Sequence, residues 1–209
     1  MDLQDMTLAT FGEALASSAA TPGGGCAAAL TGALGAGLAA MVARSTAASD
    51  KFADRADEMN AVAAEGDALR AELLGLVDAD AAAFDQVMAA FRLPKETPEE
   101  KAARSEAIQS GYKAAVDPPL RVCTQSVRVL ELAAQVAERG NPNAASDAGV
   151  AALLAAAALE GAAMNVEINL GSIKDESFKT TAADAAQAAR EQGQALRDKT
   201  LDAVRARIG

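Results

Sequence analysis

The sequence predicts an all-α fold, an antiparallel up-and-down bundle of long helices, and three observations carry that prediction. Hydrophobic residues make up 51% of the 209 positions, yet aromatics are only 3% and Trp is absent. A core of Ala, Leu and Val suits closely approaching helices, whereas a β-sandwich draws on β-branched and aromatic side chains. Apolar positions recur at helical spacing, as in Leu69, Leu73, Leu76, Ala83, Val87 and Phe91. No stretch alternates β-branched with polar residues in the manner of a half-buried strand. The alanine-rich texture is uniform, without a shift that would mark a linker, so residues 1–209 read as one domain.

The elements follow in order. "TLATFGEALA" opens on Thr7, a good N-cap, and ends before the "ATPGGG" break. A second helix is expected from about Gly25 to Ala48, and a third over residues 50–91. "RLPKETPEE" interrupts the pattern, with Thr97 as the next cap and Pro98 in the first turn. That helix is expected over 98–116, where "DPP" (117–119) breaks or kinks the chain, and a further one runs to Arg139 and stops at Gly140. "NPNAASDAG" starts a second very apolar helix, and an amphipathic helix follows Lys174. The two apolar helices have few polar faces, which suits a paired chain, a homodimer.

Charge and composition exclude several function classes. The net charge of −10 argues against a nucleic-acid partner, which calls for a basic face. With no histidine and two isolated cysteines, Cys26 and Cys123, no metal-ligand spacing is present, and the cysteines read as buried thiols. The N-terminus, "MDLQDMTLATFGEALA", is acidic and amphipathic rather than basic then apolar, which points to the cytoplasm. The uncharged run 26–42 is short of the roughly 20 residues of a membrane span, and the run 148–166 carries Glu160. Both read as central helices of a bundle, with no membrane partner.

Three segments admit a functional reading beside a structural one. "TPGGGCAAAL" places Pro22, Gly23, Gly24 and Gly25 at a helix start, where a ligand or another helix can touch the backbone and exposed N–H groups favour an anion. It matches neither GxxxxGK[ST] nor GxGxxG, and a tight turn with small-residue packing explains it equally well. "GNPNAASDAG" supplies an N-cap at Asn141 or Asn143, but capping does not explain why Asp147 enters a nearly polar-free helix. Asn165 and Asn169 share a face further along, as a pocket or as a satisfied network. "DADAAAFDQVMAAF" gathers Asp78, Asp80 and Asp85, with Asp80 and Phe84 on one face; solvated acids are the plain alternative.

With these segments in order over about Phe11 to Phe178, the chain resembles the cyclodeaminase/cyclohydrolase family of folate enzymes. The segments that carry the resemblance are "TPGGGCAAALTGALGAGLAAMV", "DADAAAFDQVMAAFRLPK" and "GNPNAASDAGVAALLAAAALEGAAMNVEINL". Cys26 stands where members tend to have Ser, Gly or Ala, and the formiminotransferase half has no counterpart. The resemblance implies a helical bundle that pairs into dimers and a tetrahydrofolate substrate whose one-carbon unit bridges N5 and N10. The cyclohydrolase opens the methenyl cation with water to 10-formyltetrahydrofolate. The cyclodeaminase closes 5-formimidoyltetrahydrofolate to the same cation with loss of ammonia. The missing half tilts the reading towards the cyclohydrolase.

That chemistry fits a chain without histidine. Proton transfer falls to carboxylates, Lys, Cys, Tyr112 or water, and the electrophilic methenyl carbon needs neither cofactor nor metal. The carboxylates expected to act are Asp147 first and Asp80 second. Asn143, Asn165 and Asn169 are expected on the pterin edge or the water, Pro22 to Gly25 against the pterin or the glutamate tail, and Lys51 and Lys95 on the tail's carboxylates. Two rival readings stay open: a non-catalytic helical scaffold, and a folate-binding protein without turnover.

Overall fold

The computed structural model describes residues 2–209, and among these there is no strand. Six α-helices run in the order α1 (Leu8–Leu15), α2 (Gly24–Ala47), α3 (Ala56–Phe91), α4 (Pro98–Arg139), α5 (Ala145–Leu170) and α6 (Glu176–Ile208). The all-α class and most helix ends are those the sequence predicts. Thr7 caps α1 by accepting from the Thr10 N–H, and Thr97 forms a reciprocal capping box with Glu100 at the start of α4.

Two boundaries differ. Phe52 leaves helical backbone angles (φ −122°, ψ 26°), so Asp50–Arg55 is a separate 3-10 turn ahead of α3. Of more consequence, α4 is one helix of 42 residues with Pro118 and Pro119 inside it. Each proline removes an N–H from the ladder and frees the carbonyl four residues earlier, here Ala114 and Ala115. Ala114 is exposed to water, whereas Ala115 is buried. The Ala115 carbonyl instead accepts from Asn169 Nδ2 of α5 at 2.8 Å. The break expected at "DPP" is repaired by a neighbouring helix.

The core sits among α2, α3, α4 and α5, with α6 packed across α4 and α5. Helices α2 and α5 run in opposite directions against each other, with Gly24 beside Asn165, Gly32 beside Ala158, and Gly35 beside Ala151 and Ala155. Met59, Leu73, Leu76, Leu130, Leu132 and Leu159 are fully buried, each worth about 1.5–3 kcal/mol of transfer free energy. By length and composition, α2 and the stretch 142–170 could each cross a membrane, but 61% and 50% of their most apolar windows are buried inside the protein. Glu160 points out of α5 and pairs with Arg190 of α6 at 3.0 Å. The outer faces of these two helices remain apolar: Leu34 and Met41 on α2, and Val150, Leu153, Met164 and Ile168 on α5, are exposed.

Candidate active site

The start of α2, the second half of α3, the first half of α4 and the last turns of α5 enclose a cavity of about 370 Å³, a size that suits a small organic ligand. Among the described residues its one carboxylate is Asp80. The side chain leans over the first turn of α2, so close that a Cβ on Gly25 would lie 2.3 Å from Oδ1. Only a residue without a side chain fits there. The helix start offers positive dipole and free N–H groups to the carboxylate. Burial nevertheless pushes the Asp80 carboxyl above its ordinary range, against the Cys26 thiol and backbone N–H, which pull it down.

Cys26 is fully buried, and its Sγ lies 3.3 Å from Asp80 Oδ2 and 3.4 Å from the Val77 carbonyl oxygen. Burial foremost, with the charge of Asp80 adding to it, pushes this thiol up to about 12, so it stays protonated and serves as a donor. Of the other two aspartates in the segment, Asp78 accepts from the Leu3 N–H at 2.6 Å and Asp85 is exposed. The structure thus separates three acids that sequence spacing leaves equivalent.

Opposite Asp80, α5 supplies two amides. Asn165 donates Nδ2 to the Gly161 carbonyl at 2.8 Å, and Asn169 donates to Ala115 as described. Both side chains line the cavity and retain further donor and acceptor capacity for a ligand. The apolar walls are Phe84, Val87, Met88 and Phe91 of α3, with Tyr112 of α4. Phe91 and Tyr112 meet edge to face, with centroids 6.2 Å apart. Ser172 closes the cavity just past α5, where Gln109 holds the turn by bonds to the Ser172 carbonyl (2.9 Å) and the Lys174 N–H (2.8 Å). Phe84, Phe91 and Ser172 are not among the expected site residues, and Tyr112 stands there only among the groups able to carry a proton. The chain has only five Phe and one Tyr, so three of its six aromatics converge here, a signal that scarcity itself carried.

The expected site residues divide into two groups. Gly23, Gly24, Gly25, Asp80, Asn165 and Asn169 line the cavity together. Pro22 is buried within the same loop but off the lining, and Lys95 is exposed in the α3–α4 connection, also off the lining. Asp147, Asn143 and Lys51 lie at the far end of the molecule. Asp147 is in the first turn of α5, and the 18-residue rise to Asn165 separates them by about 27 Å. Asn143 precedes that turn, in a segment held to the end of α2 by the Asn141 N–H on Thr46 Oγ1 at 2.8 Å, and Lys51 follows α2. Within one chain, then, Asp147 does not join Asp80. A half-exposed carboxylate at a helix start is also less costly than sequence suggests, because solvent and the dipole both favour it.

The cavity pairs a carboxylate with neutral amides and aromatic faces, and among the described residues neither Lys nor Arg lines it. Such a site favours a flat ligand that carries or develops positive charge, for which the carboxylate and the ring faces are both attractive.

The comparisons agree with that chemistry. The family model described as formiminotransferase-cyclodeaminase matches residues 7–188. A methenyltetrahydrofolate cyclohydrolase from Methylorubrum extorquens is 42% identical over 202 residues, which cover 97% of each chain. The rat formimidoyltransferase-cyclodeaminase is 38% identical over 85% of this chain but 33% of its own length. The crystal structure of a formiminotetrahydrofolate cyclodeaminase from Thermotoga maritima superposes with a TM-score of 0.89 at 27% identity, covering all of both chains. The matched span takes in the glycine loop, Asp80 and both cavity asparagines, and on this footing the chain belongs to the formiminotransferase-cyclodeaminase family.

Proposed function

We propose that this chain is a methenyltetrahydrofolate cyclohydrolase. The observation that carries the reading is a carboxylate, Asp80, set among amides and aromatic rings in a cavity that, among the described residues, has no other carboxylate and no Lys or Arg. The methenyl substrate is a flat amidinium cation, and such a cavity attracts it and leaves room for water. Asp80 stabilises the cation, holds the water and takes its proton as the C–O bond forms. The carbinolamine then breaks its C–N5 bond. Asp80 returns the proton to N5, and the hydroxyl proton leaves to solvent as the formyl C=O forms. Asn165 and Asn169 fix the pterin edge or the water, and the glycine loop lets the ring approach the backbone. End-to-end likeness to a cyclohydrolase favours water addition over the alternative, cyclodeamination with release of ammonia. The reaction needs no resident cofactor, and we place it in the cytoplasm, with residues 1–209 acting as one domain.

The same reading includes an antiparallel bundle that pairs as a homodimer. The uncharged outer stripe of α5, Val150, Leu153, Ala157, Met164 and Ile168, is centred near the level of Leu159, with Val150 answering Ile168 and Leu153 answering Met164, and α2 extends it with Leu34 and Met41. A two-fold axis across the middle of this face suits a self-complementary contact. It would carry the partner's Asp147 end past the cavity and bring Asn143 and Lys51 with it. Asp147 as a second catalytic carboxylate and Lys51 as a tail contact belong to that arrangement, and Lys95 reaches the tail from the same chain.

The test is the absorbance decay of 5,10-methenyltetrahydrofolate with purified protein. Protein-dependent loss to 10-formyltetrahydrofolate is the expected result. Absence of that loss with absorbance rising from 5-formimidoyltetrahydrofolate would assign the cyclodeaminase instead. Silence in both, with or without folate binding, would leave the binding or scaffold readings.

A further inference from the structure

The contact between Cys26 and Asp80 asks for a role, because a buried thiol could have filled its place without touching the site. Cys26 Sγ has two acceptors within reach, the Val77 carbonyl at 3.4 Å and Asp80 Oδ2 at 3.3 Å, and only one proton to give. A carboxylate is the stronger acceptor of the two. Gly25, the preceding residue, has no side chain, and its bare Cα is what allows the carboxyl to come down onto this turn. The carboxyl is therefore held on one side by the first turn of α2 and on the other it faces the cavity.

We propose that Cys26 is a positioning residue for the reaction: its thiol donates to Asp80 Oδ2 and fixes the carboxylate's orientation towards the cavity, where it accepts a proton. This rests on the reading of Asp80 as the acting carboxylate. Cys26 touches neither substrate nor reacting atoms, being fully buried behind Asp80. The thiol suits the task because it remains a donor: burial pushes it up to about 12. Few other groups compete for the carboxyl. Tyr112 of α4 is the other titratable side chain on the cavity wall, α5 presents the neutral Asn165 and Asn169, and on α3 Asp78 is turned to Leu3.

The consequence is a coupling that packing alone would not produce. Without the donor, burial acts on Asp80 unopposed by the thiol, the carboxyl takes its proton at higher pH, and less of it is available as base. Cys26→Val keeps a similar volume with no donor, and Cys26→Ser keeps a donor with a smaller atom. The experiment measures kcat/KM against pH for the parent, both variants and Asp80→Asn. In parallel, 13C NMR follows the Asp80 carboxyl directly. For Cys26→Val the acid limb and the carboxyl titration are expected to move up together by roughly one pH unit, a tenfold loss of rate below the limb. Cys26→Ser brings both back towards the parent.

A Cys26→Val enzyme whose limb and carboxyl titration match the parent's would overturn the proposal while leaving Asp80 in place. An Asp80→Asn enzyme as fast as the parent would overturn the assignment of Asp80 instead. The NMR titration decides the Cys26 contact even where turnover is absent.

Discussion

Asn169 completes a hydrogen bond that Pro119 removes. The proline takes an N–H out of α4, the freed carbonyl belongs to the buried Ala115, and Asn169 donates to it at 2.8 Å from α5. The pair joins two helices at the cavity wall and fixes which way the Asn169 amide presents its other atoms to a ligand.

Replacing Asn169 by Leu leaves that carbonyl buried without a donor, at an expected cost of about 1–3 kcal/mol in urea unfolding. Pro119→Ala restores the missing N–H. The double variant Asn169→Leu/Pro119→Ala should therefore lose less than the sum of the two single changes. Strict additivity would mean that the repair is not energetic.

Gly25 is where the fold and the carboxylate compete for the same space. Gly25→Ala puts a methyl 2.3 Å from Asp80 Oδ1. The carboxyl must swing away, and a displacement of that order is expected to lower kcat/KM about a hundredfold. Folding should suffer less, because the side chain has the cavity to move into. In an Asp80→Ala background the same substitution should be nearly neutral for stability. Equal destabilisation in both backgrounds would place the clash elsewhere in the turn.

Asp80 also makes a stability prediction with a definite sign. Its carboxyl is raised by burial, so the folded state holds the proton more tightly than the unfolded chain does. The resulting stabilisation is full below the ordinary carboxylate range and is lost as pH rises through the raised value. Asp80→Asn has no such dependence at this position. Its Tm relative to the parent should therefore climb as pH rises from the ordinary carboxylate range through the raised value, while its turnover is lost. A flat Tm difference across that interval would mean that the carboxyl titrates as in the unfolded chain.

Much of this arrangement is legible in the sequence because local rules act alone there. Thr97 and Pro98 mark a helix start, and Gly140 an end, without reference to anything distant. The α4 prolines mislead for the opposite reason: whether the helix continues through them depends on a donor, Asn169, that lies 54 residues from the freed Ala115 carbonyl. The aspartates show the same limit. Asp78, Asp80 and Asp85 have similar local sequence, and what singles out Asp80 is the bare backbone of Gly25 on another helix. Asp147 drew attention as a charge in an apolar run, yet its place in the first turn of α5 makes that charge inexpensive.

The far position of Asp147 leads to a test of the paired arrangement. If two copies meet through the outer faces of α2 and α5 across a two-fold axis, each cavity takes Asp80 from one copy and Asp147 from the other. Asp80→Asn and Asp147→Asn homodimers would then both be slow. Mixed, unfolded and refolded together in equal amounts, they form heterodimers in which both lesions fall in one site and the second site is intact. Random pairing makes half of the dimers mixed, so about one quarter of the parent activity should return. No recovery, with heterodimers demonstrated by native mass spectrometry, would show that Asp147 does not serve the partner's cavity. Leu153→Glu provides the independent check on the face itself. A charge on that exposed apolar stripe should give monomers by sedimentation velocity, and a dimer that survives it would have to form through another surface.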